Sequence, residues 1–311
     1  MKYLFKNLLK VFPQYSPPLG MADINDLNEE TLKYLHSLPS AEINERLQSI
    51  TLEYSEVESN LEMAKAILKE NGILVIKNFM NRNLAIELGE RCKETILYYA
   101  NHLKEGETTS YEDESALAQL GPVKLKGYRQ LVEYSKAVVH LRSGQDKGMI
   151  DTFNIDRILP ESCVNTFLSA FSKREFPAVL GMERQSLKDR RNLNVYLNRG
   201  VTSTRGFHID SEKTQLKSFL YMSDVDSVDS GPYCYSIRSH SCPKSIRVNR
   251  AFSMVTKQIT ESPIVKISSL VPVLGPAGTL VVSDQRGIHR GLPQCADALR
   301  LVAVLNYQPS T

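Results

Sequence analysis

Residues 278–291 read GTLVVSDQRGIHRG, a short apolar strand that runs through a polar turn to His289. Similar apolar segments surround this stretch in the C-terminal part of the chain, with Gly, Pro, Ser and Asp between them. These segments cover residues 192–197, 215–222, 233–237, 264–271, 279–282 and 299–306. Short strands at regular spacing, separated by turn residues, predict a β-sandwich or a barrel, and we expect an antiparallel jelly roll.

The N-terminal half has a helical pattern. Apolar residues between 61 and 68 share one helix face, and Asn71-Gly72 is a typical helix end. Residues 73–76 then form a short, fully apolar strand. Further helices are expected over 84–103 and 161–173, and the polar stretch 105–114 is expected to be a mobile loop. The rest of the region 128–176 shows no clear pattern.

Composition excludes several classes of protein. The chain has 311 residues, of which 42% are hydrophobic and 23% charged, so it can bury a core and is not expected to be disordered. The formal net charge of +3 argues against a general nucleic-acid binder. Five cysteines without CxxC spacing argue against a disulfide framework or a thiolate zinc site. No apolar run approaches the roughly 18 residues that a membrane span needs.

The first residues read MKYLFKNLLKVF. Lysines at every fourth position interrupt the apolar core of a possible signal peptide, and no small-x-small cleavage site follows. Residues 1–12 are therefore expected to form either a short amphipathic helix that docks on the body or frays, or a helix that rests on a membrane surface. Cytoplasmic residence is the default expectation. We expect a helical extension over residues 1–58 and one catalytic domain over 59–311, with no flexible linker between them.

The pair His208-x-Asp210 is the first candidate for chemistry. Side chains alternate along an extended segment, so these two residues share a face and can converge on one ion. Alone, the pair also fits an ordinary turn or a surface pair. His289 supplies a second imidazole at the end of its strand. Two histidines and one carboxylate leave three adjacent coordination positions open, which is typical of non-haem Fe(II) oxygenases.

Arg300 begins the last apolar strand of the chain. A buried guanidinium needs an anionic partner, because an unpaired buried charge is costly. One interpretation is a structural salt bridge with Asp297 or Asp284. The other is a dicarboxylate cosubstrate, whose far carboxylate accepts a bidentate pair from the guanidinium.

In order and spacing, His208-x-Asp210, His289 and Arg300 resemble the phytanoyl-CoA dioxygenase-like (PhyH-like) family of Fe(II)/2-oxoglutarate oxygenases. Three other stretches are similar to that family: the strand after the histidine–aspartate pair, a Gly-Pro…Ser-His turn, and a helix–Gly–strand opening. They are residues 215–225, 231–240 and 69–79, so the resemblance spans about residues 60–308. It implies an α+β fold: a double-stranded β-helix (jelly roll, cupin-like) core with N-terminal and flanking α-helices.

The resemblance also implies roles for four residues. His208, Asp210 and His289 would hold Fe(II), and Arg300 would bind the 5-carboxylate of the cosubstrate 2-oxoglutarate. Dioxygen would be the second cosubstrate, and succinate and CO2 would leave. Because a carboxylate is present at the third ligand position, a halogenase is disfavoured.

The chain departs from the family at Gly291. Many relatives have a Ser or Thr two residues after the distal histidine, where its hydroxyl also binds the cosubstrate carboxylate. Thr279 and Tyr196 are candidates to replace it by strand position, and water is another. Phe219 occupies a position often held by an aromatic residue near the cosubstrate. Lys217 shares its face, so it is expected either to enter the cavity or to extend to solvent.

The expected reaction is hydroxylation of an unactivated C–H bond in a small, polar or anionic metabolite. Residues that flank the motifs are candidates for the cavity mouth, with ordinary sheet packing and surface charge as the other interpretation. They are Arg205, Tyr233, Tyr235, Arg286 and Arg290. No nucleic-acid partner is expected, and the oligomeric state stays open. The alternatives are a catalytically silent jelly-roll binding protein, or the same enzyme class with desaturation, cyclisation or epimerisation as its outcome. The lid is expected within 105–114 and 128–176.

Overall fold

The structure, a computed structural model, describes residues 24–111, 136–173, 175–181, 193–256, 262–263 and 265–307. Its helices are α1 (Ile24–Ser37), α2 (Ser40–Gln48), α3 (Tyr54–Ser59), α4 (Leu61–Asn71), α5 (Arg82–Ala100), α6 (Glu161–Phe171), α7 (Glu175–Val179) and α8 (Pro243–Thr256). Its strands are β1 (Thr51–Glu53), β2 (Ile73–Lys77), β3 (Thr108–Tyr111), β4 (Ala137–Leu141), β5 (Met149–Phe153), β6 (Asn194–Arg199), β7 (Leu216–Tyr221), β8 (Tyr233–Ser236), β9 (Leu270–Val273), β10 (Leu280–Asp284), β11 (His289–Gly291) and β12 (Leu299–Tyr307).

Two facing sheets form the centre of the fold. Within the described ranges, nine strands form a large sheet in the order β1-β2-β10-β7-β12-β6-β5-β4-β3, and three form a small sheet in the order β11-β8-β9. Phe219 of β7 stacks on Tyr233 of β8 with ring centroids 4.7 Å apart, so the sheets pack face to face. Apart from the parallel pair of β1 and β2, the pairings are antiparallel. This is a jelly roll with flanking helices, and the predicted α+β class is confirmed.

The large sheet is covered on both faces, which explains why its central strands are apolar almost throughout. One face meets the small sheet in a cluster that includes Tyr221, Val281, Val304, Tyr235 and Val273. The other face packs against the helices, through a cluster that includes residues of α4, α5, α6 and α7. All six residues of β7 are buried as a result. A polar side chain on such a strand must therefore have a partner inside the protein.

The opening helix–Gly–strand unit has the predicted form. The Asn60 side chain accepts a hydrogen bond from the backbone of Met63 and caps α4, which ends at Gly72 in the left-handed region with φ of 76°. A Cβ on Gly72 would lie 2.5 Å from the Tyr235 hydroxyl. The glycine therefore both ends the helix and lets the two sheets approach each other.

Several predictions about elements were wrong or incomplete. Residues 108–111, placed in a mobile loop, form strand β3 because they pair with β4, while 112–114 lie outside the described residues. The segment 264–271 contributes a strand only from Leu270, after a short 3-10 helix. Strands β4 and β5 and helix α8 were not predicted at all.

Residues before 59 contribute to the core. β1 pairs with β2, and Ile43, Leu47 and Ile50 belong to the cluster between the two sheets. The domain boundary between residues 58 and 59 stays a prediction, and residues 1–12 lie outside the described part. Among the described residues, no helix has the length and apolar character needed to cross a membrane.

Candidate metal centre

Strand pairing brings the two candidate histidines together. The backbone N–H of each donates to the carbonyl of the other, and both bonds are 3.0 Å long. This bridge adds residue 208 to the free edge of β11, so that it extends the small sheet. Two residues later, the N–H of Asp210 donates to the Gln285 carbonyl at 3.1 Å. Backbone contacts therefore fix segments that are far apart in the sequence.

The three candidate side chains converge. Nε2 of His208 lies 3.6 Å from Oδ1 of Asp210, and Nε2 of His289 lies 3.7 Å from its Oδ2. One ligand atom from each residue lies within 4.8 Å of the others. Two imidazole nitrogens and one carboxylate oxygen at this spacing can bind a divalent transition metal.

Backbone carbonyls set which nitrogen of each ring faces the centre. Nδ1 of His208 donates to the Gly206 carbonyl at 2.7 Å, and Nδ1 of His289 donates to the Gly287 carbonyl at 2.9 Å. Each acceptor lies two residues before its histidine. With the proton held on Nδ1, the lone pair of Nε2 faces the centre in both rings, as a metal ligand requires.

The charge states also favour a cation. Burial, and then the neighbouring His289, hold the pKa of His208 well below its usual range, so its imidazole is neutral at pH 7. Burial acts to raise the pKa of Asp210, but Lys217 and His289 outweigh it and hold this pKa well below the usual range. A neutral imidazole beside an ionised carboxylate is the protonation pattern that binds a metal ion.

Lys217 is buried and contacts the candidate ligand Asp210. It projects from β7, is buried, and donates from Nζ to Oδ2 of Asp210 at 2.6 Å. Of the two positions that the sequence left open for this lysine, the structure selects the interior.

Arg300 is a buried guanidinium without an acidic partner in the described part of the chain. It donates from Nη1 to the Gly231 carbonyl, its Nε has no hydrogen-bond partner, and burial lowers its pKa. Asp284, one of the two acids considered, pairs with Arg286 at 2.6 Å instead. A Cβ on Gly291 would lie 3.2 Å from Nη2 of Arg300, so the guanidinium takes up room that a side chain at position 291 would need. A buried guanidinium donor without a partner among the described residues fits an anionic ligand.

The two candidate hydroxyls belong to residues in one cross-strand row, on the face of the large sheet that meets the small sheet. Val302 pairs with Tyr196 on one side and with Tyr221 on the other. The N–H of Tyr221 donates to the carbonyl of Thr279, whose hydroxyl is buried and has no hydrogen-bond partner among the described residues. Arg300 lies two residues before Val302 on β12. Its side chain is therefore on the same face of the sheet as Thr279 and Tyr196.

The aromatic candidates divide into two groups. Phe219 and Tyr233 stack on each other, and the Tyr233 ring lies 5.6 Å from the His289 ring. The Tyr233 hydroxyl shares a hydrogen bond of 2.9 Å with Ser283. Tyr235 instead donates its hydroxyl to the Asp284 carbonyl at 3.0 Å. Its hydroxyl is therefore hydrogen-bonded within the fold.

The candidate arginines contact other parts of the protein. Arg205 donates from Nε to Asp146 at 2.7 Å and lies close enough to His208 to lower its pKa. Arg290 is buried, donates to the Thr204 hydroxyl at 2.7 Å and lies over the Phe207 ring. Arg286 is held by Asp284. Their predicted contact with a substrate stays a prediction.

Sequence reasoning missed two residues that orient the histidines and a third that binds the loop before His208. Gly206 and Gly287 supply the two carbonyl acceptors, and the repeated Gly-x-His pattern, GFH and GIH, was a visible signal for them. Asp146 binds the loop before His208 from a distant turn, and no local pattern indicates that contact.

Comparisons with known proteins give distant structural likenesses. No protein-family profile matches the sequence, and no curated protein matches it. The "non-heme alpha ketoglutarate dependent epimerase SnoN from nogalamycin biosynthesis" is 14% identical over 81% of this chain and 83% of its own, with a TM-score of 0.47. AviO1 from Streptomyces viridochromogenes Tue57 is 13% identical over 80% and 96%, with a TM-score of 0.48. HygX from Streptomyces hygroscopicus, solved with nickel and 2-oxoglutarate, is 11% identical over 80% and 87%, with a TM-score of 0.39. At these levels the function must be argued from the residues of the chain itself.

Proposed function

We propose that the chain is a non-haem Fe(II)- and 2-oxoglutarate-dependent dioxygenase. The observation that carries this proposal is the convergence of two Nδ1-protonated histidines and one carboxylate, with ligand atoms within 4.8 Å of one another. His208, Asp210 and His289 would hold the ferrous ion. Arg300, with its unpartnered Nε, would bind the 5-carboxylate of 2-oxoglutarate.

The bound iron, with 2-oxoglutarate and dioxygen, would supply an oxidant while succinate and CO2 are released. The residues of the chain position these groups and exclude water. The stacked pair of Phe219 and Tyr233 provides an apolar wall beside the His289 ring. The buried Thr279 hydroxyl and Tyr196 are the candidates to support the cosubstrate carboxylate in place of a hydroxyl at position 291.

We further propose hydroxylation of an unactivated C–H bond in a small, polar or anionic metabolite. Arg205 supports this substrate class, because its side chain is about one-third exposed (32%) and lies close to the metal centre. Arg286 and Tyr233 are proposed with it at the cavity mouth, whereas for Arg290 and Tyr235, which are fully buried, we propose the other interpretation, ordinary sheet packing. Once a hydrogen atom has been removed, the pose of the substrate decides the product, so desaturation, cyclisation and epimerisation are alternative outcomes of the same site.

The first experiment asks whether the protein decarboxylates its cosubstrate. Purified protein with ferrous iron, 2-oxoglutarate and ascorbate in air is expected to form succinate slowly even without a primary substrate. His208→Ala should abolish both iron binding and succinate formation, because one of three metal ligands is lost. His36→Ala, at an exposed histidine of α1, is the matched control and should leave both unchanged. Full turnover in His208→Ala would contradict the proposal, and absence of iron uptake by the wild type would favour a silent binding protein.

A second experiment tests the anion-binding role of Arg300. Arg300→Lys keeps a cation but loses the planar pair of donors, so the Kd for 2-oxoglutarate should rise by about tenfold or more. The Kd for the metal alone should stay close to that of the wild type. Equal cosubstrate affinity in the variant and the wild type would remove Arg300 from the site.

A further inference from the structure

Lys217 makes an ion pair that the proposed chemistry does not require. Its ammonium is buried on β7 and lies 2.6 Å from Oδ2 of Asp210, which is itself a candidate metal ligand. In register with it lie Ser283 of β10 and Asn306 of β12. A lysine on a strand whose other residues are buried apolar or small would be costly to retain without a partner.

A cation at this point has two opposite effects on a metal site. It repels a divalent ion that binds a few ångströms away, and this repulsion weakens metal binding. It also occupies one oxygen of the carboxylate. A carboxylate can ligate a metal through one oxygen or through both, and an uncommitted aspartate is free to do either. Lys217 holds Oδ2, which also lies 3.7 Å from Nε2 of His289, while Oδ1 lies outside this ion pair and 3.6 Å from Nε2 of His208.

We infer that Lys217 is a positioning residue that restricts Asp210 to coordination through one oxygen. This inference rests on the proposed function, because it takes the ion and the 2-oxo diacid as the ligands of the site. With one oxygen from Asp210 and one nitrogen from each histidine, three positions of an octahedral ion stay free. A two-oxygen carboxylate would occupy one of them, and the cosubstrate and dioxygen together need all three. Lys217 thus weakens metal binding somewhat and keeps open the coordination position that the cosubstrate needs.

The test compares Lys217→Met with Lys217→Gln. Methionine fills a similar volume but cannot donate a hydrogen bond, whereas glutamine can still donate to Oδ2 without carrying a charge. Lys213→Met, at an exposed lysine four residues earlier, is the matched control. The readouts are the Kd of Co(II) for the apo protein, the Kd of 2-oxoglutarate for the Co(II) form, and the visible Co(II) spectrum, which reports coordination number. None of these requires a known substrate or turnover.

Lys217→Met is expected to bind Co(II) as tightly as the wild type or about tenfold more tightly, because the nearby positive charge is gone. Its affinity for 2-oxoglutarate should fall by about tenfold or more, since the carboxylate then competes for a coordination position. Lys217→Gln should share the gain in Co(II) affinity while it keeps most of the 2-oxoglutarate affinity. Lys213→Met should match the wild type in all three measurements.

Unchanged 2-oxoglutarate affinity in Lys217→Met would overturn the inference, and so would an equal loss in the methionine and glutamine variants. If the variants do not fold, a crystal structure of the Co(II)-loaded wild type decides. Oδ1 alone within bonding distance supports the inference, and both carboxylate oxygens within about 2.5 Å of the ion overturn it. Failure of the wild type to bind Co(II) or 2-oxoglutarate would instead count against the proposed function, so the two failures are distinguishable.

Discussion

At the scale of single residues, the site depends on two glycines that place carbonyl oxygens. The Gly287 carbonyl accepts from Nδ1 of His289, and the Gly206 carbonyl accepts from Nδ1 of His208. Gly287 also has no space for a side chain, because a Cβ there would lie 1.8 Å from the Tyr235 hydroxyl. Tyr235 is fully buried and donates to the Asp284 carbonyl, so it cannot easily move aside. The same glycine thus serves sheet packing and histidine orientation.

We predict that Gly287→Ala lowers the free energy of unfolding by about 2–3 kcal/mol, since the added methyl group overpacks a buried ring. Gly144→Ala is the control: a Cβ there meets nothing within 4 Å, but its φ of 68° adds left-handed strain. That strain alone should cost about 1 kcal/mol. Urea unfolding of the two variants makes the comparison, and a smaller loss at 287 than at 144 would contradict the packing argument.

Burial of His208, a candidate ligand, also predicts a pH dependence for the metal-free protein. An unfolded histidine takes up a proton near pH 6.5, whereas buried His208 does so only at much lower pH. Between these values the unfolded state binds the additional proton, so stability falls as the pH falls below about 6.5. The expected slope is about 1.4 kcal/mol for each pH unit. Burial also lowers the pKa of His140, which adds a contribution of the same sign.

Unfolding by urea in the presence of a chelator, from about pH 7 to pH 5, measures this slope. His208→Gln removes the larger of the two contributions, so its slope should be shallower but not zero. If the wild-type and His208→Gln slopes coincide, His208 is not held neutral by burial.

At the scale of elements, local patterns predicted those parts of the fold whose burial is regular. Helix α4 and strand β2 were predicted because an apolar face, an Asn-Gly end and an apolar run follow one another. Helix α8 was missed because Asn249 and Ser253 lie on its buried face and break the hydrophobic period. Strand β5 was missed because Asp151 and Thr152 are buried among its apolar residues, so no alternation is visible.

The same limit explains how much of the candidate site could be predicted. His208, Asp210 and His289 were found because their types and spacing are chemically specific. For Lys217 the sequence allowed two positions, inside the protein or extended to solvent. The choice depends on the packing that buries both faces of β7, which no local pattern shows. The contact of Asp146 with Arg205 joins distant turns and leaves no local signal.

This second contact predicts a role for the loop before His208. Asp146 accepts from the backbone N–H of Arg205 at 3.2 Å and from its Nε at 2.7 Å, and its own N–H donates to the Ser203 carbonyl at 2.7 Å. The next residue, Gly206, supplies the carbonyl that orients His208. Asp146→Asn keeps a residue type that tolerates the local φ of 64° but weakens the charged contact.

We expect Asp146→Asn to weaken metal binding by about tenfold, the usual effect of losing support behind a ligand. Asp297→Asn, at an exposed aspartate, is the control and should have no effect. Metal titration of the two variants, together with their unfolding curves, separates loss of orientation from loss of stability. Equal metal affinity in both variants would mean that the loop is held by its other contacts.

At the scale of the whole molecule, an N-terminal helix packs behind the candidate metal centre. Leu35 of α1 is fully buried in a cluster with Phe207 and Ile288, the residues that immediately precede the two histidines. Side chains alternate along a strand, so those two point away from Asp210 while the two histidines converge on it. Helix α1 therefore covers the outer surface of the segments that carry both candidate histidine ligands.

This arrangement predicts that Leu35→Ala affects the metal centre as well as stability, although Leu35 lies in the segment first expected to be an extension. The cavity left in the cluster should cost about 2–5 kcal/mol in the free energy of unfolding. Leu84→Ala, on the exposed part of α5, should cost less than about 0.5 kcal/mol. If α1 and the jelly roll form one cooperative unit, urea unfolding of Leu35→Ala will give a single shifted transition by both tyrosine fluorescence and circular dichroism. The Kd for Co(II) will then rise in Leu35→Ala but not in Leu84→Ala. Two separate transitions, or unchanged Co(II) affinity in a destabilised Leu35→Ala, would instead make residues 1–58 an independent extension.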